Sequence, residues 1–184
     1  MTSDIIEQVL DFWFADGDDQ PREVWFKTDP SFDREIEHRL KTHHEKARLG
    51  QYDNLADTAS GALALIILLD QFPRNLFRGS AEAFASDSKA LAAACAALAA
   101  GHDRELTPVQ RSFMYLPFEH SEDMDDQEKS VRLFEELGDE DKLKYATEHR
   151  DIIERFGRFP HRNAVLGRPS TAEEIEFLKD FDSF

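Results

Sequence analysis

At 184 residues, with 41% hydrophobic and 33% charged residues, the chain has the makeup of a soluble globular protein able to bury one sizeable core. Its net charge of −16 works against general binding to nucleic acid or to anionic membranes, both of which reward cationic surfaces. A single cysteine excludes a disulfide framework within the chain, and "MTSDIIEQVLDFWF" lacks the basic start and apolar core of a leader, so the expected location is cytoplasmic.

Residues 3–14 place Ile5, Ile6, Val9, Leu10, Trp13 and Phe14 at the spacing of an amphipathic helix, with Asp4 and Glu7 as its capping box. Glycine and proline within 15–26 break that helix, and Trp25 and Phe26 are expected to fold back on the core. A helix over 28–50 opens with Asp29 as N-cap and Pro30 at the first helical position, buries Phe32, Ile36 and Leu40, and stops at Gly50. Residues 60–72, "SGALALIILLDQF", are apolar nearly all round and predict a central buried helix ended by Pro73. Its run "GALALIILL" is too short to span a bilayer.

A long helix over 80–101 follows, closed by Gly101, in which Cys95 is expected as a small core residue. Thr107 and Pro108 start the next helix, which is expected to end before Pro117. Residues 121–138 carry acids in their first turns, where they suit the positive end of the helix dipole. The stretch 139–157 ends at Gly157, and 170–181 opens with Ser170 and Glu173 as a capping box. Eight helices with short connections and no convincing strand predict an all-α fold of antiparallel hairpins, bundled or stacked, in one domain over 1–184.

Three places carry more chemistry than helix packing needs. "LLDQFPRNLFRG" offers Asp70, Arg74, Asn75 and Arg78; "YLPFEHSEDMDDQ", just after Arg111, offers Tyr115, Glu119, His120, Glu122, Asp123 and Gln127. "RFGRFPHRNAVLGR" offers Arg155, Arg158, His161, Arg162, Asn163 and Arg168, with His149 two turns earlier. Arginine's planar fork suits carboxylate or phosphate, so two facing F-P-(x)-R-N corners would make a pocket for a small anion or a peptide carboxylate. The same arginines would equally serve as clamps on Asp70 and on the acids between Glu119 and Glu128. His120 and His161 with Glu122 and Asp123 are candidates for general acid–base work. There is no P-loop, G-x-S-x-G, H-E-x-x-H or C-x-x-C, so no nucleotide cradle, nucleophile elbow, metal site or cofactor is expected.

The blocks "LLDQFPRNLFRG", "AFASDSKAL", "RSFMYLPFEHSED", "RFGRFPHRNAVLGR" and "STAEEIEFL" resemble, in order and over essentially the whole chain, the bacterial domain of unknown function 924 family. The resemblance implies an all-helical, tetratricopeptide-like fold and no established activity.

Three functions therefore stay open at this level. One is a helical module that binds a small anion or a peptide carboxylate through Asp70, Arg74, Asn75, Arg78, Arg111, Arg158, Arg162 and Asn163. Another is a hydrolytic or metal-assisted enzyme using His120, His161, Glu122 and Asp123. The third is an interaction scaffold whose motifs only hold the fold. Phe181 and Phe184 either bury in a second copy, giving a homodimer, or fold back on the core.

Overall fold

A computed structural model describes residues 2–15, 17, 21–25 and 27–181, and among these every regular element is helical. Eight helices follow in order: α1 (Thr2–Trp13), α2 (Pro30–Arg48), α3 (59–76), α4 (Asp87–Ala100), α5 (Pro108–Glu119), α6 (Met124–Leu137), α7 (Glu140–Phe156) and α8 (Ala172–Asp180). Short 3-10 turns, such as Asp53–Asp57, Ala81–Phe84 and Pro160–Arg162, fill several connections. The expected N-cap Asp29 accepts from backbone N–H groups, as do Asp123 and Asp139 at the starts of α6 and α7, and Gly101, Gly138 and Gly157 close α4, α6 and α7 in the left-handed conformation.

Helix α3 is the axis of the core. Residues from Ala62 to Leu69 are all at most 3% exposed, because α1, α2, α4 and α5 pack around them. The helix does not end at Pro73. It widens into a π turn over Ile67–Gln71 and resumes as Phe72–Leu76 with the proline inside. Pro73 has no N–H for the carbonyl of Leu69, and the π turn sends the N–H of Phe72 to Ile67 instead of Leu68. Two buried carbonyls are thereby released, and both are satisfied from neighbouring elements. His44 Nδ1 of α2 donates to Leu68 O at 2.8 Å, and Ser86 Oγ donates to Leu69 O at 2.6 Å. The proline thus diverts the backbone hydrogen bonds without stopping the helix.

Other boundaries differ from the sequence reading for similar local reasons. α5 runs through Pro117 to Glu119, since a proline in a last turn costs only one intrahelical bond there. α1 begins before Asp4, which places that residue in the first turn, away from the cap. The C-terminal capping box is Thr171 with Glu174, one residue later than expected. Cys95 is exposed: α4 turns Ala90, Ala93, Ala94 and Ala97 inward, and Cys95 falls on the opposite side. Residues 81–100 have the length and hydropathy of a membrane span, although a break at 85–86 divides them into a 3-10 turn and α4.

The aromatic residues of α1 anchor the N-terminal half. Trp13 packs against Trp25, Phe32, Phe72 and Phe113, with ring centroids 5.5 to 6.0 Å apart. Trp25 Nε1 donates to Trp13 O, so this residue does fold back, while Phe26 and Phe184 lie outside the described residues. Phe181 stacks on His161 at 5.3 Å and packs at a tilt against Phe177 at 5.1 Å.

Candidate functional site

The π turn of α3 delivers Asp70 to the end of α5. Its side chain is fully buried, which ordinarily disfavours a charged carboxylate. Burial is outweighed here by the Arg74 guanidinium and by His120, which hold the carboxyl well below the usual carboxylate range. Asp70 Oδ1 accepts from His120 Nδ1 at 2.8 Å, Oδ2 accepts from Gln71 Nε2 at 2.6 Å, and Arg74 Nη1 lies 3.3 Å from Oδ1. A carboxylate can only accept, so Nδ1 of His120 carries the ring proton and Nε2 bears the lone pair. Burial, and then the Arg74 charge, push the His120 pKa down, keeping the ring neutral at pH 7. The His120 side chain is 14% exposed, so this neutral base lies at the edge of the protein.

The two F-P-(x)-R-N corners meet around it. Arg74 pairs with Asp87 at 2.9 and 3.1 Å, and Arg162 Nη1 lies 3.8 Å from the same carboxylate. Arg162 also donates to His120 O at 2.9 Å, and its guanidinium lies between Phe159 and Phe84, 4.3 and 4.8 Å from the ring centroids. Burial pulls its pKa down to about 10, so it stays charged at pH 7. Its buried Nε has no hydrogen-bond partner among the described residues. With Asp70 and Asp87 negative and Arg74 and Arg162 positive, these four charges cancel.

Two more groups belong to this cluster. Glu119, buried beside His120 in α5, has its carboxyl pushed up to about 8 by burial and by the nearby charge of Asp70. His149 of α7 donates from Nδ1 to Tyr145 O at 2.9 Å and lies 3.6 Å from Glu119 Oε1; burial lowers it to about 3.

The remaining predicted site residues fall into separate groups. Asn75 and Arg78 both bind Asp33 of α2, the arginine bidentately at 2.8 and 3.1 Å. Arg111 donates to Tyr115 Oη, which donates in turn to Asp103. Arg158 grips Glu174 at 2.6 and 2.8 Å, and Asn163 Nδ2 donates to Ser170 and to Glu174. Arg168 grips Glu122 at 2.6 and 2.9 Å, and Glu122 also accepts from the N–H of Phe159. His120 is therefore partnered by Asp70 and not by Glu122, while Asp123 caps α6. His161 lies against Phe159 and Phe181, lowered to about 4 by burial and by Arg162.

Among the described residues no group of three or more His, Cys, Asp or Glu side chains is arranged to hold a metal ion. Cavities of about 590 and 760 Å³ open beside α1 and between α7 and α8, and neither is lined by Asp70, His120 or Arg162.

A family model described as bacterial protein of unknown function (DUF924) matches residues 9–182. The chain belongs to the DUF924 family. A solved structure from Agrobacterium tumefaciens, of a protein of unknown function, is 41% identical with a TM-score of 0.93. That match covers 98% of this chain and 100% of the other. Among curated proteins none matches. Within this DUF924 chain, Asp87 and Phe84 join the site although the sequence reading did not select them. Asp87 reads in sequence as a first-turn acid of α4, and nothing local signals that two arginines converge on it.

Proposed function

We propose that this DUF924 protein is a small-molecule hydrolase in which the Asp70–His120 pair activates water. The observation that carries this reading is the 2.8 Å contact from Asp70 Oδ1 to His120 Nδ1, which fixes the tautomer and leaves Nε2 as the basic nitrogen of a side chain that is 14% exposed. A buried carboxylate orienting an imidazole is the arrangement that proton abstraction requires. Water is the nucleophile, because Cys95 is exposed on α4, Ser86 Oγ is engaged with Leu69 O, and Ser121 Oγ with Asp126. The Nε–H of Arg162, without a hydrogen-bond partner among the described residues, suits the oxygen of an acyl group, ester or amide, on which negative charge develops.

Capture of a small anion, the reading the arginines first suggested, is less well supported. Arg74, Arg78, Arg158 and Arg168 each hold a carboxylate bidentately, and the charges around His120 already balance. A purely architectural role for the cluster is the rival reading. The test is hydrolysis of nitrophenyl acetate by the purified protein, together with modification of His120 by diethyl pyrocarbonate. Turnover and rapid modification of His120 are expected, and both should fall in Asp70→Asn with the fold retained. A His120 that is unreactive, or turnover indifferent to Asp70→Asn and His120→Gln, removes this proposal.

A further inference from the structure

Glu119 is a buried acid that activation of water by His120 does not use. Its side chain is only 7% exposed, and His149 Nδ1 lies 3.6 Å from Oε1, beyond hydrogen-bond distance. The groups that face it are Asp70 from α3 and His149 from α7, whose ring lies 6.5 Å from that of His120. Asp70 is a carboxylate, and both histidines are neutral at pH 7. An ionised Glu119 would therefore be a second buried carboxylate beside Asp70 with no cation of its own. From α6, Gln127 donates its amide to the backbone carbonyls of Glu119 and Ser121, so it does not stabilise charge on the Glu119 side chain. The low-energy state of this arrangement is a protonated Glu119 next to a deprotonated Asp70–His120 pair.

We propose that Glu119 is the acid half of the site, delivering a proton to the leaving atom while His120 takes one from water. This rests on the reading of Asp70–His120 as the base. In the step proposed, a water O–H bond breaks and its proton goes to His120 Nε2. The water oxygen bonds to the acyl carbon, the bond from that carbon to the leaving oxygen or nitrogen breaks, and that atom takes the Glu119 proton. The proton on His120 then returns to the Glu119 carboxylate through solvent, so one water is consumed and the protein is restored. Pairs of titratable groups whose environments drive their proton affinities apart are how one site supplies acid and base together. Burial and the charge of Asp70 do that here, holding Glu119 protonated up to a pH of about 8.

Two measurements test this. In protein labelled with ¹³C at the glutamate carboxyl, the resonance missing from Glu119→Gln should titrate near pH 8. This readout needs no substrate and is independent of His120; a midpoint in the ordinary carboxylate range overturns the proposal whatever Asp70–His120 does. The second compares two esters, since nitrophenolate leaves without an acid whereas an alkoxide does not. In Glu119→Gln the ratio of ethyl acetate to nitrophenyl acetate turnover should fall about 100-fold or more, the range typical of a general acid. His120→Gln should lose both. Equal loss on the two esters in Glu119→Gln, or loss on neither, overturns the acid role while leaving the base reading in place. A wild-type protein without turnover on either ester removes the base reading and the acid role with it, whichever way the resonance titrates.

Discussion

The protonation of Glu119 has a consequence for stability that needs no substrate. A carboxyl whose pKa is raised by folding binds its proton more tightly in the native than in the unfolded chain. The stability it contributes is complete below pH 4.5 and is lost as pH rises to about 8. Below pH 6.5 this loss is opposed by His149 and His161, whose folded values of about 3 and 4 make stability rise with pH up to their ordinary value of 6.5. Between pH 6.5 and 8.5 the Glu119 contribution acts without that opposition, and at 1.36 kcal/mol per unit it removes about 2 kcal/mol. For a chain of this size that lowers the melting temperature by about 4–8 °C. Glu119→Gln keeps the shape and cannot ionise, so its melting temperature should be flat over the same window. Thermal melts of both proteins in matched buffers at half-unit steps provide the comparison. Superimposable profiles between pH 6.5 and 8.5 would refute the argument that Glu119 is buried with its proton.

Further outcomes follow from single contacts. Ser86→Ala leaves the carbonyl of Leu69 buried without its donor and should cost about 1–3 kcal/mol in urea unfolding, with no change in the denaturant slope. Gly61→Ala would place a methyl group 2.1 Å from Leu55 O, where the 53–57 turn lies on α3, so a loss of about 1–3 kcal/mol or more is expected by the same method. Acid titration should show stability falling as pH drops below 6.5, because His149 must be protonated in its buried place; His149→Asn should flatten that slope by a few kcal/mol, read from melts between pH 4 and 6.5.

The outline of the fold was legible because helix ends are written locally. Asp29 and Thr107 announce starts, and Gly101 and Gly157 announce stops, through hydrogen bonds and φ angles confined to a few residues. Pro73 misled for the opposite reason. Its effect depends on donors supplied by His44 and Ser86, 29 and 13 residues away in sequence, and no local pattern reveals them. The arginine corners were legible as unusual, and Asp87 and Phe84 do bring Arg74 and Arg162 together. Their partners were not, since each carboxylate comes from another element: Asp33 from α2, Asp87 from α4, Glu122 from the turn before α6 and Glu174 from α8. Glu119 stood in plain view beside His120. Only burial, which a sequence does not give, separates it from the solvated acids that follow.

The stretch after Gly157 is attached differently from the rest. Glu174 alone receives Arg158, Asn163 and the N–H of Thr171, and Glu122 receives Arg168 and the N–H of Phe159. Its apolar contacts form a cluster of their own, Ile152, Ile153 and Phe159 with Met124, Phe156, Phe177 and Phe181, apart from the main core around α3. A segment fastened largely by ion pairs and a small satellite cluster opens at lower free energy than the core, and salt or acid lowers it further. Arg162 travels with that segment. Each local opening therefore withdraws the guanidinium from His120 O and from Asp87, leaving Asp70 and Asp87 with only Arg74 to balance them beside the imidazole.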